Sequence, residues 1–335
     1  MQKNFLKKGI ISILILFVGT TIIPSVLSGE IGNISNSSLL KKIWYVDDDG
    51  EDYPNPDFNL IQLAIDAANP GDEIRVYNGT YKEHLTVNKS LDFSGGWNGT
   101  SIINGYERGT IVVIIHDYVS ITNFVIQNSG VLNYGINIGA TNVRIEKCDI
   151  IYNYFGIQVI GLHNSNVEIK NNCNISNNYI GVVFIDLTHS NKITDCKFTN
   201  NIYSVWIVDS NDNEFSNCSF TDNYVGMQIQ DPKSTRNKIY KCKFKYNSLG
   251  IMLYSYSNRN IITSNDFMYN ERHIFFRYCS RQFFTDNYFE PREFPNNYTN
   301  PHTYLIIGII WGIGRAERPI WWFNKDPEAA VEEHK

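Results

Sequence analysis

From Val119 to Phe289 apolar and polar residues alternate in short runs rich in Ile, Val, Phe and Tyr, and the pattern restarts about every 22 to 25 residues. An alternation of period two marks strands rather than helices. Stacking the segments IEKCDIIYNYFGIQV, KNNCNISNNYIGVVF, ITDCKFTNNIYSVWI, FSNCSFTDNYVGMQI and IYKCKFKYNSLGIML brings out columns. Cys148, Cys173, Cys196, Cys218 and Cys242 share one, which opens with Asn123 and continues through Asn265 and Asn287. Two residues later stand Val125, Ile150, Ile175, Phe198, Phe220, Phe244, Phe267 and Phe289. A third column holds Asn128, Asn153, Asn178, Asn201, Asn223, Asn247 and Asn270, and a fourth Gly156, Gly181, Ser204, Gly226, Gly250 and His273.

A fixed period of this size makes each repeat one supersecondary unit that can bury its apolar face only against its neighbours. The expected fold is therefore all-β: a single-stranded right-handed parallel β-helix solenoid, three short strands to a turn, with the Cys, Ile and Phe columns inside. A recurring Asn has a physical reason at a corner, because its short amide tolerates left-handed backbone and bonds local main-chain groups. Stacked turn on turn, such amides can also bond one another.

The ends depart from the repeat. Residues 1–28 read as a signal peptide, with Lys3, Lys7 and Lys8 ahead of the apolar run from Gly9 to Val18 and Val26-Leu27-Ser28 at the cleavage site. The competing reading is an uncleaved anchor, since Thr20 to Ile23 could prolong the apolar run. On both readings the body is secreted or held in the cell envelope, touching a membrane only through that segment. Residues 29–42 read as a polar linker, 43–117 as an N-terminal cap with the first coils, 118–290 as the repeats and 291–335 as an irregular C-terminal cap rich in aromatics such as Trp311, Trp321 and Trp322. Ile61, Ala64, Ile65 and Ala68 are spaced as one helical face, ended by Asn69-Pro70-Gly71, and predict a capping helix over the first open turn.

The start YVDDDG, the run IQLAIDAANPGD, the segment Tyr77-Asn78-Gly79-Thr80-Tyr81 and the recurrent Asn/Cys-x-Phe…Asn…Gly repeats resemble the secreted right-handed β-helix repeat proteins often called NosD-like. The resemblance covers about residues 43 to 290 and is specific for fold. It implies no particular activity, because the solenoid defines that family.

Composition narrows the function classes. The 335 residues carry a formal net charge of −5 and no basic tract, which speaks against nucleic acid, whose binding depends on clustered Lys and Arg. The 41 Asn suit turns and the 21 Tyr suit sheets. Six cysteines outside the cytoplasm raise the question of disulfides. Stacked side chains in neighbouring parallel strands project the same way, however, which disfavours the near-perpendicular disulfide torsion, so buried free thiols are expected. A linear buried column cannot wrap one ion, and no metal or other cofactor is expected there. The Asp47-Asp48-Asp49 run offers carboxylates to Ca²⁺, against a reading as N-terminal turn chemistry.

Surface chemistry points to one long strand per turn. Asp186, Asp209 and Asp231 fall at equivalent positions of three successive repeats, close enough to raise a pKa or to recruit a cation. Alternation turns Trp206, Gln228, Gln230, Tyr254 and Arg277 outward on the same face, where rings could stack on sugars and amides could bond hydroxyls. The expected function is a non-catalytic protein binding a polysaccharide, a cell-surface glycan or an envelope protein along this face. The alternatives are a polysaccharide hydrolase or lyase using the Asp column, since glycoside hydrolysis needs paired carboxylates, and a structural surface spacer. Asp is also a favoured turn residue with no catalytic task.

Overall fold

The computed structural model describes residues 41–161, 165–277, 279, 282–290, 306–309 and 320–322. The expected signal peptide, most of the expected linker and C-terminal cap, and Trp311 lie outside them.

One central turn shows how the sequence builds the rest. Strands Lys192–Thr194, Lys197–Thr199 and Tyr203–Val208 pair in parallel with Glu214–Ser216, Ser219–Thr221 and Val225–Gln230 of the next turn, without a shift in register. Because successive side chains alternate in direction, Ile193, Phe198, Val205 and Ile207 point inward and are fully buried, directly beneath Phe215, Phe220, Met227 and Ile229. Repeated over about nine turns, this makes a right-handed parallel β-helix with three strand columns and a continuous core. Phe198, Phe220, Phe244, Phe267 and Phe289 form one stack inside it, with ring centroids 4.6 to 5.0 Å apart.

The turn through Phe124–Gln127 corrects the sequence register. Ile150 pairs with Ile126 and not with Val125, because the step between those turns is one residue shorter than the step from Ile150 to Ile175. Ile126 is fully buried, whereas Val125 is half-exposed. The cysteine column is thus headed by Phe124, and the asparagine column by Ser129, whose N–H donates to Oδ1 of Asn153 at 3.1 Å. Asn123 and Asn128 sit one position earlier, both with left-handed φ of 60° and 63°.

That offset exposes the rule for the corners built on inward Cys and Asn. A left-handed residue turns the chain, and the residue after it points into the core: Asp195 before Cys196, Asn200 before Asn201, Asp212 before Asn213, with φ of 55°, 56° and 54°. The left-handed conformation belongs to the residue before the inward asparagine, so tolerance of that geometry is not what selects the buried amide. Hydrogen bonding does. Each column asparagine accepts the main-chain N–H of its counterpart one turn back and donates Nδ2 to a carbonyl there, as in Asn178 N to Asn201 Oδ1 at 2.9 Å and Asn201 Nδ2 to Ile175 O at 2.8 Å. A second ladder, Asn191, Asn213, Asn237, Asn260 and Gln282, closes another corner in the same way.

The cysteine column closes the third. Cys196 and Cys218 donate their thiols to Ile169 O and Ile193 O at 3.5 and 3.6 Å, and Asn265, in the same column, makes the matching bond to Ile239 O at 3.0 Å. Cysteine here acts as a weak donor as well as a small apolar filler. All six cysteines are buried and form no disulfide with one another, and burial pushes the Cys148 and Cys242 thiols up, holding them protonated. Glycine brings neighbouring turns into close approach: a Cβ on Gly226 would lie 2.6 Å from the carbonyl oxygen of Gly250.

At the amino end, helix α1 (Ile61–Ala67) buries Ile61, Ala64 and Ile65 as the spacing predicts. Its first N–H groups, on Ile61 and Gln62, donate to the buried Glu83 carboxylate at 2.8 and 2.9 Å. Strand Ile43–Val46 adds one more pairing ahead of Glu73–Tyr81. At the carboxyl end Ile306–Ile309 pairs antiparallel with Ile320–Trp322. No helix among the described residues is long and apolar enough to cross a membrane.

Candidate functional site

The long strands carry the expected site residues. Val208 pairs with Gln230 and Phe184 with Ile207, so Asp186, Asp209 and Asp231 follow in one column just past the strand ends. All three occupy left-handed backbone, with φ of 58°, 53° and 78°. That conformation alone favours Asp, whatever its task. Lys233 reaches Asp209 at 3.1 Å and neutralises the middle of the column. Asp231 is held above the usual carboxylate range by burial and by the Asp209 charge, with opposing contributions from a Gln230 hydrogen bond and from Lys233.

The outward column beside it is less open than alternation suggests. Gln158, Val183 and Gln228 point away from the core but retain only 5, 6 and 7 % of their exposure. In a parallel stack each outward side chain is flanked by column neighbours about 4.8 Å away. Gln228 is further engaged in donating Nε2 to Gln230 Oε1 at 2.6 Å. Trp206 is half-buried, its ring stacked on Tyr203 at 5.6 Å between centroids, and its indole N–H is buried with no hydrogen-bond partner. Tyr254 lies half-exposed opposite Gln230, and the Arg277 side chain falls outside the described residues.

What the structure adds is an aromatic line along the neighbouring corner. The residue after each inward asparagine leaves the corner outward, and there stand Tyr154, Tyr179, Ile202 and Tyr224. Tyr179, Ile202 and Tyr224 are 44, 44 and 57 % exposed. The rings are continuous. Tyr134 stacks on Phe155 at 5.0 Å, Phe155 meets Tyr154 edge-on at 4.9 Å, and Tyr154 stacks on Tyr179 at 4.8 Å. Tyr179 then meets Tyr203 at 6.3 Å, and Tyr203 lies on Trp206. Burial raises the Tyr134, Tyr154 and Tyr203 phenols, so they stay protonated and keep their donors at neutral pH. The sequence signal was the repeated Asn-Tyr dipeptide at 153–154, 178–179 and 223–224.

This arrangement offers a ridge of ring faces and phenol hydroxyls crossing successive turns at the rung spacing, bordered by the Asp column at the far end of the long strands. It suits an extended ligand with alternating apolar faces and hydroxyls.

Residues 69–218 and 173–300 match the family described as the right-handed beta helix region. Among solved structures, pectate lyase Pel9A superposes with a TM-score of 0.53 at 14% identity, covering 73% of this chain and 77% of that one. The complex of XylC with xylose gives 0.54 at 9% identity over 73% and 68% of the two chains. Alginate lyase from Paenibacillus sp. str. FPU-7 gives 0.53 at 13% identity over 69% and 95%. At these identities the likeness is one of fold. No curated protein sequence matches the chain.

Proposed function

The chain belongs to the right-handed beta helix family, and from that premise we propose that it is a non-catalytic glycan-binding protein of the cell envelope or exterior, gripping an extended polysaccharide along its tyrosine corner. The observation that carries this reading is the continuous run Tyr134, Phe155, Tyr154, Tyr179, Tyr203 and Trp206, followed on the next turn by exposed Tyr224. Successive turns repeat about every 4.8 Å, close to the length of one sugar ring in an extended chain, and exposed Tyr179 and Tyr224 stand two turns apart with Ile202 between them. Each can stack on the apolar face of a sugar while its hydroxyl bonds a neighbour. Solved structures of the same fold include two named as pectate and alginate lyases and one bound to xylose, which keeps a polysaccharide ligand in view.

Of the expected contacts, Trp206 ends this run, and Gln228, Gln230 and Tyr254 lie beside it on the long strands. An envelope protein remains the alternative partner for the same ridge. The hydrolase or lyase reading has one observation in its favour, the raised carboxyl of Asp231 next to Asp209. Against it stand the left-handed turn that explains Asp at all three positions and the Lys233 contact to Asp209. A glycan array probed with the protein, followed by product analysis on any retained polysaccharide, tests the proposal. Retention without cleavage is expected. Retention of no glycan overturns it, and product release turns it into the enzyme reading.

A further inference from the structure

The loop after strand Ile43–Val46 is the most acidic part of the described chain: Asp47, Asp48, Asp49, Glu51, Asp52 and Asp57 fall within eleven residues that contain no Lys or Arg. Asp47, Asp49 and Asp52 each offer one carboxylate oxygen, and these oxygens lie within 4.8 Å of one another. Part of this chemistry is local structure. Asp47 Oδ2 accepts the N–H groups of Asp52 and Tyr53 at 3.1 and 2.6 Å, Asp49 Oδ1 accepts that of Glu51 at 2.9 Å, and Asp52 accepts Nδ2 of Asn78 and Asn98 at 3.1 and 2.8 Å.

One atom is left over. Asp47 is 1 % exposed, and its Oδ1 is buried with no hydrogen-bond partner. A carboxylate oxygen withdrawn from water and left unpaired is costly, and like charges close by raise that cost. Turn chemistry alone does not need this oxygen buried, whereas a cation would satisfy it and neutralise its neighbours.

We propose that Asp47, Asp49 and Asp52 form a Ca²⁺ site that fastens the N-terminal cap. Ca²⁺ takes six to eight oxygens at about 2.3–2.6 Å, so ligand oxygens on opposite sides of one ion stand up to about 5 Å apart, which the 4.8 Å spread fits. The donor set is all oxygen, with no imidazole or thiolate to favour zinc or copper. Three carboxylates leave room for carbonyls and water, which suits the flexible coordination of Ca²⁺ better than the strict octahedron of Mg²⁺. The ion would tie the loop to the first turns through groups already poised there. Asp52 holds Asn78 and Asn98, Asp48 accepts the N–H of Thr80 at 3.1 Å, and Tyr53 packs between Tyr45 and Tyr77 at 4.7 and 4.8 Å.

Thermal unfolding of the full chain, with CaCl₂ alone as the probe and MgCl₂ and NaCl matched for ionic strength, tests the site. At 10 mM Ca²⁺, and with the millimolar affinity usual for extracellular sites, Tm is expected to rise by about 2–4 °C, and by less with Mg²⁺. Asp49→Asn, at an exposed position, should leave the metal-free Tm nearly unchanged and remove most of the Ca²⁺ shift. Asp47→Asn should remove it entirely. An equal rise with all three salts, or a full Ca²⁺ shift in Asp49→Asn, overturns the proposal.

Discussion

The main-chain N–H of Asn178 donates to Oδ1 of Asn201 at 2.9 Å, and Asn201 returns its Nδ2 to the carbonyl of Ile175 at 2.8 Å, so one buried amide joins two points of the preceding turn. Asn201→Ala would leave a buried donor and a buried acceptor unpaired, at about 1–3 kcal/mol each. A fall of about 2–4 kcal/mol in unfolding free energy is expected by urea titration, allowing for relaxation. A loss below about 0.5 kcal/mol would mean that the ladder does not close the corner.

Phe220 lies between Phe198 and Phe244 in the core stack, 4.8 and 4.6 Å from them, and is fully buried. Phe220→Ala should cost about 3–5 kcal/mol through lost burial and the cavity left behind. The same titration checks it, and a negligible change would contradict the register of the turns.

The parts of the fold that repeat were legible in the sequence, and those that do not repeat were less so. The Cys and Phe columns from Ile150 onward could be read because inward residues of stacked strands must share one register. Val125 and Ile126 are both apolar, and the step of 24 rather than 25 residues to Ile150 leaves no mark in the sequence that separates them. The ladder through Asn191, Asn213, Asn237 and Asn260 was missed because its asparagines precede the strands and read as ordinary loop residues. At the site, the Asp column was legible from spacing. The tyrosine corner was not, because the same alternation that marks Phe as core leaves Tyr ambiguous, and only the observed corner shows that Tyr179 and Tyr224 leave the chain outward.

The buried thiols give a prediction independent of function. In the folded protein all six cysteines should resist a thiol reagent, and after denaturation most should react at once, since only an exposed thiolate is nucleophilic. Rapid labelling of the native chain would place the column on the surface.

Burial and the nearby Asp209 charge hold the Asp231 carboxyl above its ordinary range. The fold therefore keeps that proton more tightly than the unfolded chain does. The contribution to stability is fully present below the unfolded value of about 3.9 and is lost as pH rises through the higher folded value. Asp231→Asn should flatten that part of the stability–pH curve. An unchanged slope just above the unfolded value of about 3.9 would show that Asp231 does not titrate as described.

The most direct test of the glycan-binding account is the affinity of Tyr179→Ala, Tyr224→Ala and Asp209→Asn for a polysaccharide that the parent retains, measured by calorimetry alongside turnover. Each tyrosine removed takes away one stacking platform and should weaken binding about tenfold, or about 1.4 kcal/mol, whereas Asp209→Asn should change affinity little and no variant should differ in turnover. Parental affinity in both tyrosine variants would contradict the account, and so would turnover in the parent that Asp209→Asn abolishes while binding persists.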